Sequence, residues 1–505
     1  MDYILAHDLG TSGNKATLFS TDGKLRASCT VPYPLYTDQP LWAEQDAEDW
    51  WRAVCDSTRR LLRESGVQAA DIRALSFSGQ MMGCLPVDRD GRPLCRAIIW
   101  ADQRAREESA RLAEKIDDAA FYRITGHRNA PSYGIQKAMW IRKNRPEIYE
   151  QTYRFLNAKD YMVYRLTGRF FTDGSDATSM DCFDLAARSW SEPIVAASGI
   201  DPDKLPQIAE STQFIGYVTE QAAAETGLTT GTKVIMGAGD GVAANVGAGC
   251  VEPGKAYCCL GTSAWVAGTS EKPVLDEGRR IVCWAHAVHG LYSPNGTMQY
   301  AGGSYKWLRQ TVCLSEEEDA LRLGSSVYER MNAEIADAAP GAGSLLFLPY
   351  LMGERAPRWN PDAKGVWFGL TAGTTRAQLL RSVMEGILIN LGICLDIFRQ
   401  QTSADELVLI GGLAQSGEWQ QAAADIFNAP VRIPVYLEEA NSMGAAVIAG
   451  VGSGLFQDFS VIERFLEMRS ACTPRTEYRR LYQEKTEQFN KVYEALQGVF
   501  APPQG

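Results

Sequence analysis

The chain has 505 residues, of which 45% are apolar and 22% are charged, and its net charge at pH 7 is −11. This composition is that of a folded protein, and the length exceeds what one hydrophobic core usually organises, so we expect two sizeable domains with a cleft between them. The acidic balance argues against a surface for nucleic acids or anionic membranes, because either partner requires a basic patch. The sequence has no basic start followed by an apolar segment and no apolar run that could cross a bilayer, so we expect a cytoplasmic protein.

The first 100 residues predict strands that alternate with a helix. Residues 3–8 and 15–19 are apolar runs separated by a glycine-rich turn at 10–13, a pattern typical of two strands joined by a tight turn. Asp46 is placed to cap a helix whose apolar residues recur at helical spacing. Further strands are predicted at 72–78 and 97–100, so the chain opens as a mixed α/β unit.

The second half repeats this opening pattern. Residues 234–249 are rich in glycine, and we place the domain boundary there, with domains at 1–249 and 250–505. Beyond the boundary, strands are predicted at 255–260 and 265–269, on either side of a Gly-Thr-Ser turn. The tetrapeptide Leu-Gly-Thr-Ser occurs at 9–12 and again at 260–263, each time between two predicted strands. This repetition indicates two related halves.

The remainder of the second half also predicts alternating strands and helices. A long helix is expected at 378–400, and an apolar strand at 407–410 leads into a pair of glycines. The glycine and alanine content of 441–451 favours a helix that packs closely against a neighbour or a ligand. An amphipathic surface helix is expected beyond residue 463.

The two Gly-Thr-Ser turns are candidate phosphate-binding loops. Small residues at a turn let backbone N–H groups converge on an anion, and four hydroxyls add further donors, those of Thr11, Ser12, Thr262 and Ser263. Asp8 precedes the first turn, where a carboxylate would repel phosphate unless a cation lay between them, so we infer Mg²⁺ held through water. The alternative is structural: the glycines close hairpins and Asp8 caps a turn.

Asp240 is the candidate general base. It lies in Gly239-Asp240-Gly241 at the proposed domain junction, where the glycines let a ligand approach and leave the carboxylate free to act. Phosphoryl transfer to a hydroxyl requires an acceptor for the departing proton, and one aspartate meets that need. A structural aspartate in a glycine-rich turn is the alternative, and the two repeated loops favour the catalytic interpretation.

Several motifs follow one another along nearly the whole chain: HDLGTSGNK at 7–15, LWAEQDAEDWW at 41–51, SFSGQMMG at 76–83, IWADQR at 99–104, GAGDG at 237–241, LGTS at 260–263, FLPYLMGERAPRWNP at 347–361, GVWFGLTAGTTRAQLLRSVMEG at 365–386 and GGLAQS at 411–416. With these motifs the sequence resembles the FGGY family of carbohydrate kinases, and within it the xylulokinases most closely. The resemblance implies an α/β fold of two actin-like ATPase (ribonuclease H-like) domains, with ATP, Mg²⁺ and a small sugar in the interdomain cleft. It also implies a homodimer by analogy, since dimers are common in the family.

The resemblance assigns a role to each candidate site residue. Asp240 would be the general base, and Asp8 would hold Mg²⁺ through water. The ATP-binding residues would be Thr11, Ser12, Lys15, Gly261, Thr262, Gly302, Gly411, Gly412 and Ser416. The sugar-binding residues would be Gln80, Met81, Met82, Asp102, Asp240 and Gly241.

The sugar-binding positions leave more than one substrate open. Xylulokinases commonly have His where this chain has Met82 and often Asn where it has Gly241, and neither replacement makes the same hydrogen bond. Trp100-Ala101-Asp102 and Asp240-Gly241 resemble the gluconate kinases instead. The leading expectation is phosphorylation of D-xylulose to D-xylulose 5-phosphate, and the alternative is gluconate or another sugar or polyol. From another class, an actin-like or chaperone-like ATPase switch is the rival, whereas a transcription factor would need a DNA-binding segment that the sequence does not supply.

Overall fold

The computed structural model describes residues 1–313, 318, 320, 322 and 324–501. Two seven-stranded sheets dominate it, one from each half of the chain. The first contains, in spatial order, Phe214–Tyr217, Lys233–Ile235, Ile72–Gly79, Tyr3–Leu9, Gly13–Ser20 and Leu25–Pro32, and Ala238–Gly239 pairs with the end of Ile72–Gly79. The second contains Val282–Ala285, Tyr292–Met298, Ala264–Gly268, Ala256–Leu260, Leu407–Ile410, Val431–Pro434 and Met468–Cys472.

The two sheets share one order of strands. In each, three strands form an antiparallel meander, and the first strand of the meander pairs in parallel with a strand from much later in the chain. The parallel pairs are Tyr3–Leu9 with Ile72–Gly79 and Ala256–Leu260 with Leu407–Ile410. A further parallel strand follows in both sheets. The repeated order confirms the predicted α/β fold of two related domains.

Helices and short strand pairs surround the sheets. The helices of the first half are Ala47–Ser65, Arg106–Ala113, Asp118–Thr125, Gly134–Asn144, Pro146–Gln151, Ala158–Thr167, Gly174–Ser179, Glu192–Ser198, Glu220–Thr226 and Asp240–Gly247. Those described in the second half are Gly302–Val312, Val327–Ala336, Arg376–Phe398, Gly417–Phe427, Ala440–Ser453 and Arg479–Leu496. The two-stranded pairs are Glu44–Gln45 with Ala97–Ile98, Leu85–Val87 with Arg154–Leu156, Phe171–Asp173 with Gln207–Ala209, Phe183–Asp184 with Ser189–Trp190 and Leu346–Leu348 with Val366–Phe368.

Local sequence patterns explain where most elements begin and end. Asp46 caps the helix Ala47–Ser65 because its side chain accepts a hydrogen bond from Glu48 N at 2.9 Å. Gly66 then ends that helix in the left-handed conformation, with φ of +69°. The strand predicted at 407–410 is confirmed at those residues, and the helix predicted at 378–400 occurs two residues earlier.

Two predicted elements are wrong in part. The strand expected at 97–100 is only Ala97–Ile98, because Asp102 N donates to Ile99 O at 3.1 Å and closes a turn. Beyond residue 463 the chain first forms the strand Met468–Cys472, which adds an edge to the second sheet by pairing with Val431–Pro434. The expected amphipathic helix begins only at Arg479.

The two halves meet where helix Asp240–Gly247 crosses helix Ala440–Ser453. A Cβ at Gly247 would lie 1.8 Å from Ala440 O, and a Cβ at Gly444 would lie 1.9 Å from Ala243 O, so only glycine permits this approach. The close packing predicted for 441–451 is thereby confirmed. Helix Ala440–Ser453 also packs into the core of the first sheet, so a domain boundary at 249/250 stays a prediction. No helix in the described ranges is long and apolar enough to cross a membrane.

Candidate active site

The first Gly-Thr-Ser turn joins Tyr3–Leu9 to Gly13–Ser20. Gly10 N donates to Gly13 O at 3.0 Å and closes the turn. Thr11 is held from two sides, because Trp100 Nε1 donates to its Oγ1 at 2.9 Å and Gln45 Nε2 donates to its carbonyl oxygen at 2.6 Å. The Thr11 hydroxyl keeps its own proton to donate, and Ser12 is exposed. The turn therefore presents donors from a fixed backbone.

The second Gly-Thr-Ser turn joins Ala256–Leu260 to Ala264–Gly268 and supports the start of helix Gly302–Val312. Gly302 N donates to Gly261 O at 2.9 Å, and Gly303 N donates to Thr262 O at 3.0 Å. A Cβ at Gly302 would lie 2.5 Å from Gly261 O, so the helix can start there only with glycine. The turn and the helix N-terminus together form one wall of a cavity.

This cavity has a volume of about 630 Å³, which suits a ligand of nucleoside size. It is lined by predicted ATP-binding residues from both the turn and the segment after Leu407–Ile410, namely Gly261, Thr262, Gly302, Gly412 and Ser416. Gly411 does not line the cavity. Its φ is +92° and a Cβ there would lie 2.7 Å from Leu260 O, so Gly411 shapes the turn that presents Gly412.

Several side chains that line the same cavity were not predicted from the sequence, among them Tyr305, Lys306, Tyr328, Asn332 and Trp419. Tyr305 OH donates to Asn332 Oδ1 at 2.8 Å, and the rings of Tyr305 and Trp419 meet edge to face with centroids 5.4 Å apart. The glycine pair that opens helix Gly302–Val312 is a signal for Tyr305 and Lys306, which lie one turn further along. Asn332 comes from a helix that is distant in sequence, and no local pattern identifies it. Trp419 lies on the helix that directly follows the predicted residue Ser416.

The three remaining predicted ATP-binding residues, Thr11, Ser12 and Lys15, belong to the first half and lie outside the cavity lining. Lys15 Nζ donates to Glu438 O at 2.9 Å and lies 3.9 Å from the carboxylate of Glu439. Both partners immediately precede helix Ala440–Ser453. Lys15 therefore ties the first loop to the second half, and a bound phosphate would compete with these two acceptors for its ammonium group.

Asp8 lies at the end of the first strand and is half-buried. Its Oδ1 accepts hydrogen bonds from Ser78 Oγ at 2.8 Å and from Asn441 Nδ2 at 3.3 Å, so the crossing helix of the second half reaches this carboxylate. Burial raises the pKa of Asp8 above its ordinary value. Because no described residue donates to Oδ2, that oxygen is available to the water shell of a cation.

The glycine pattern predicted that Asp240 lies in an open turn. In the structure, Asp240 is instead the first residue of helix Asp240–Gly247. Gly241 N donates to Asp240 Oδ1 at 2.7 Å. Burial, followed by the negative charge of Asp8, raises the pKa of Asp240 to about 7. Tyr257, on the strand that leads into the second Gly-Thr-Ser turn, donates to Gly241 O at 2.9 Å. The Asp240 segment is thus hydrogen-bonded to the strand before the second candidate loop, and the Asp240 carboxylate interacts through its charge with Asp8 beside the first.

A buried network that sequence analysis missed supports the residue before Asp240. Gly239 N donates to Ser175 Oγ at 2.8 Å, and Ser175 Oγ donates to Asp173 Oδ2 at 2.7 Å. Asp173 lies 3.1 Å from Nζ of Lys159, which is fully buried and also pairs with Asp160 and Asp176. A charge cluster buried this deeply holds its members rigidly, because each lost partner would leave an uncompensated charge.

The predicted sugar-binding residues 80–82 follow the strand Ile72–Gly79 and lie beside the Asp240 segment. Gln80 Nε2 donates to Gln45 Oε1 at 2.6 Å. Met81 fills the space next to Gly239, where a Cβ would lie 2.5 Å from Met81 Cγ. Met82 adopts the left-handed conformation with φ of +61°. Both methionines pack in one cluster with Tyr133, an aromatic residue that sequence analysis missed.

The two remaining predicted sugar-binding residues, Gly241 and Asp102, differ in how accessible they are to a ligand. A Cβ at Gly241 would meet no atom within 4 Å, so this position opens onto free space. Asp102, in contrast, is fully buried: Ala43 N donates to its Oδ2 at 2.7 Å, and Arg104 donates to both carboxylate oxygens. The sugar-binding role of Asp102 stays a prediction, since its oxygens already hold the 100–104 segment against residue 43.

The donor set fits a magnesium ion that keeps most of its water. Mg²⁺ prefers oxygen ligands and is usually held by one or two carboxylates plus waters and phosphates. Asp8 supplies one such carboxylate, with Asp240 close enough for their charges to interact. In the described part of the chain, no group of three or more His, Cys, Asp or Glu side chains could hold a metal ion.

Known proteins match this chain over nearly its whole length. The N-terminal domain of the FGGY family of carbohydrate kinases matches residues 3–247, and the C-terminal domain matches residues 256–453. The chain is 33% identical to the xylulose kinase of Bacillus subtilis (strain 168), covering 98% of this chain and 97% of that protein. It is 30% identical to the gluconokinase of Bacillus licheniformis, and the match covers 99% of this chain and 97% of that protein.

A solved structure agrees with these sequence matches. The ligand-bound xylulose kinase from Lactobacillus acidophilus superposes with a TM-score of 0.91 at 27% identity, covering 99% of each chain. The strand order of the two sheets, the repeated Gly-Thr-Ser turns and the matches to both family domains lead to one conclusion. The chain belongs to the FGGY family of carbohydrate kinases and is a sugar kinase.

Proposed function

We propose that the protein transfers the γ-phosphoryl group of ATP to a hydroxyl of D-xylulose, giving D-xylulose 5-phosphate, with Asp240 as the general base. The observation that carries this proposal is the position of Asp240. It begins the helix at which the two halves cross, it is close to Asp8 of the first phosphate loop, and its segment is hydrogen-bonded to the strand that leads into the second loop.

The environment of Asp240 suits proton abstraction. A general base works best when its pKa lies near the working pH, and burial together with Asp8 raises the pKa of Asp240 to about 7. The hydrogen bond from Gly241 N fixes one carboxylate oxygen, at 2.7 Å, and leaves the other to accept the proton of a sugar hydroxyl. The network through Ser175 keeps the backbone at Gly239 in place while this happens.

The nucleotide is proposed to bind in the cavity of about 630 Å³, with its phosphates directed at the two Gly-Thr-Ser turns. The rings of Tyr305 and Trp419 supply an apolar surface there, and Asn332 supplies an amide. When bound, MgATP provides the phosphoryl group and a cation that neutralises charge on it. Asp8 is the residue that would hold the cation through water.

The charges around the sugar-binding positions favour an uncharged sugar. Positions 80–82 and 240–241 carry the carboxylate of Asp240 and no cationic side chain of their own, and Asp8 lies nearby. The ammonium of Lys137 beside Met82 is engaged with three backbone carbonyls, so Arg355 is the cation that could oppose this preference. The carboxylate of an aldonate would be repelled there, whereas the hydroxyls of a ketopentose would meet hydrogen-bond acceptors. These charges favour D-xylulose as the substrate.

Gluconate is the second candidate, because of Arg355. The Arg355 side chain is half-buried and forms no hydrogen bond or close ion pair with any described residue, and its charge acts first on the carboxylate of the neighbouring Glu354 and then on Tyr133. An unpaired guanidinium beside the methionine and Tyr133 cluster is a group that could bind a carboxylate. The absence of a hydrogen-bonding side chain at Met82 and Gly241 agrees with a substrate other than a ketopentose.

A coupled ADP-release assay with MgATP tests the proposal. The protein is offered D-xylulose, other ketopentoses, aldoses, polyols and aldonates including gluconate, and ADP release is compared with a control without sugar. We expect D-xylulose to give the largest increase in kcat/KM. Stronger stimulation by gluconate would identify gluconate as the substrate and leave the proposed kinase mechanism unchanged. ADP release that no sugar stimulates would favour the ATPase switch and refute the proposal.

A further inference from the structure

Lys137 is a buried lysine that none of the roles above uses. It lies on helix Gly134–Asn144, its side chain is fully buried, and it forms no ion pair with a described carboxylate. Its Nζ donates three hydrogen bonds to backbone carbonyl oxygens: to Met82 O at 2.6 Å, Ile99 O at 2.8 Å and Ser132 O at 2.5 Å. An ammonium group has three protons, so these bonds use its full donor capacity.

The three carbonyls belong to three separate segments that meet at the proposed sugar pocket. The first is Met82 itself. The second, at Ile99, immediately precedes Trp100, whose indole holds Thr11 of the first phosphate loop. The third, at Ser132, immediately precedes Tyr133, which packs with both pocket methionines. One side chain therefore links three walls of the same pocket.

The conformation of residue 82 shows what this link does. A methionine in the left-handed region is unusual, because its Cβ crowds the following carbonyl group. Here both backbone polar groups of Met82 are held by other elements, since its N–H donates to Ser179 Oγ at 3.0 Å and its carbonyl accepts from Lys137. These two hydrogen bonds oppose the intrinsic preference of the residue and fix the direction of its side chain.

We propose that Lys137 is a positioning residue for the sugar: through its three carbonyl contacts it sets the backbone at 82, 99 and 132, and so the geometry of the walls that bind the substrate. Lys137 does not touch the sugar. The inference rests on the proposed sugar pocket, although it does not depend on which sugar occupies it. The charged and titratable groups around Lys137 are Cys84, Asp102 and Arg104.

Lys137→Met tests this inference, because methionine fills a similar volume and donates nothing. We expect the KM for the sugar that stimulates the wild-type enzyme to rise by at least about tenfold, while the KM for MgATP stays within about twofold. Lys485→Met is the matched control, since Lys485 is also buried and donates to a backbone carbonyl, Leu345 O at 2.9 Å, away from the pocket.

Two outcomes would overturn the role of Lys137. One is an unchanged sugar KM in a folded Lys137→Met enzyme. The other is a pattern equal to that of Lys485→Met, in which stability falls and both KM values stay the same. Should Lys137→Met fail to fold, Lys137→Gln, whose side-chain amide has two N–H donors and can keep at most two of the three hydrogen bonds, takes its place, and an unchanged sugar KM in that enzyme would overturn the inference.

The design separates this inference from the proposed function. If gluconate replaces D-xylulose in the substrate screen, the Lys137 experiment is run with gluconate and the expected rise in KM is the same. If no sugar stimulates ADP release, the proposed function fails before the Lys137 variant is made.

Discussion

Asp240→Asn is expected to abolish phosphoryl transfer and, at neutral pH, to make the folded protein more stable. Asparagine keeps the oxygen that accepts the 2.7 Å hydrogen bond from Gly241 N, but it cannot accept a proton. Because general base catalysis contributes roughly 10²–10⁴-fold, kcat should fall by about that factor. The KM for MgATP should stay within about twofold, since Asp240 does not line the nucleotide cavity.

The stability effect follows from the raised pKa. Asp240 has a pKa of about 7 in the folded protein, against an ordinary value of 3.8. Between these two pKa values the folded state binds more protons than the unfolded state, so the free energy of unfolding falls as pH rises. Above pH 7 the carboxylate is charged in both states, and the full destabilisation by the buried charge is present. The difference corresponds to about 4 kcal/mol, and solvent contact of this half-buried side chain reduces it to about 1–2 kcal/mol. Asp240→Asn should be more stable by that amount at pH 8, and the gain should vanish near pH 4.

Steady-state kinetics across pH and chemical denaturation at pH 8 and pH 4 measure both effects. Wild-type kcat/KM should rise about tenfold per pH unit below pH 7 and level off above it, as the base loses its proton. Asp425→Asn is the control for stability, because Asp425 is buried but ion-paired with Arg475 at 2.6 Å, so its loss should destabilise. Near-normal turnover of Asp240→Asn would exclude Asp240 as the base, and a loss of stability at pH 8 would refute the electrostatic argument.

Two further substitutions test the pocket and the helix crossing. Met82→His should raise kcat/KM for ketopentoses by about tenfold, because histidine tolerates the left-handed conformation and restores a hydrogen-bonding group; an unchanged or lower value, measured beside gluconate, would show a pocket built for another substrate. Gly444→Ala should destabilise the protein by about 3 kcal/mol or more in denaturant titration, since its Cβ would lie 1.9 Å from Ala243 O. Gly498→Ala, where a Cβ meets nothing within 4 Å, is its control, and equal stability of the two variants would contradict the close approach.

Elements specified by local patterns were predictable from the sequence. The strand Leu407–Ile410 was predicted at its actual residues because a short apolar run between polar residues and a glycine pair has one favoured structure. The cap at Asp46 is a local interaction as well. The strand Met468–Cys472 was missed because its half-exposed, alternating residues become a strand only by pairing with Val431–Pro434, which is a long-range contact.

The residues of the candidate site likewise fall into those that local sequence patterns predict and those that depend on long-range contacts. The glycine-rich turns and Asp240 could be proposed from the sequence because tight turns and close approaches restrict which residues can occupy them, and their roles stay predictions. Asn332 was missed because it reaches the cavity from a helix that is distant in sequence from both turns, and Trp419 because nothing in the sequence shows which face of its helix lines the cavity. For Asp102 the sequence could not show that its neighbour Arg104 and the backbone of Ala43 use both carboxylate oxygens.

The same distinction explains why the reaction is better defined than the sugar. In the proposed mechanism, the parts needed for phosphoryl transfer are two backbone turns and one carboxylate, which short sequence motifs specify. The chain is 33% identical to a xylulose kinase and 30% identical to a gluconokinase, so the family and the reaction class are shown while the sugar is not. In the proposed pocket, the sugar would be recognised by side chains from several separate segments, including Met82, Tyr133 and Arg355. Similar identity to a xylulose kinase and to a gluconokinase is the result to be expected when the scaffold is retained and these few side chains decide the substrate.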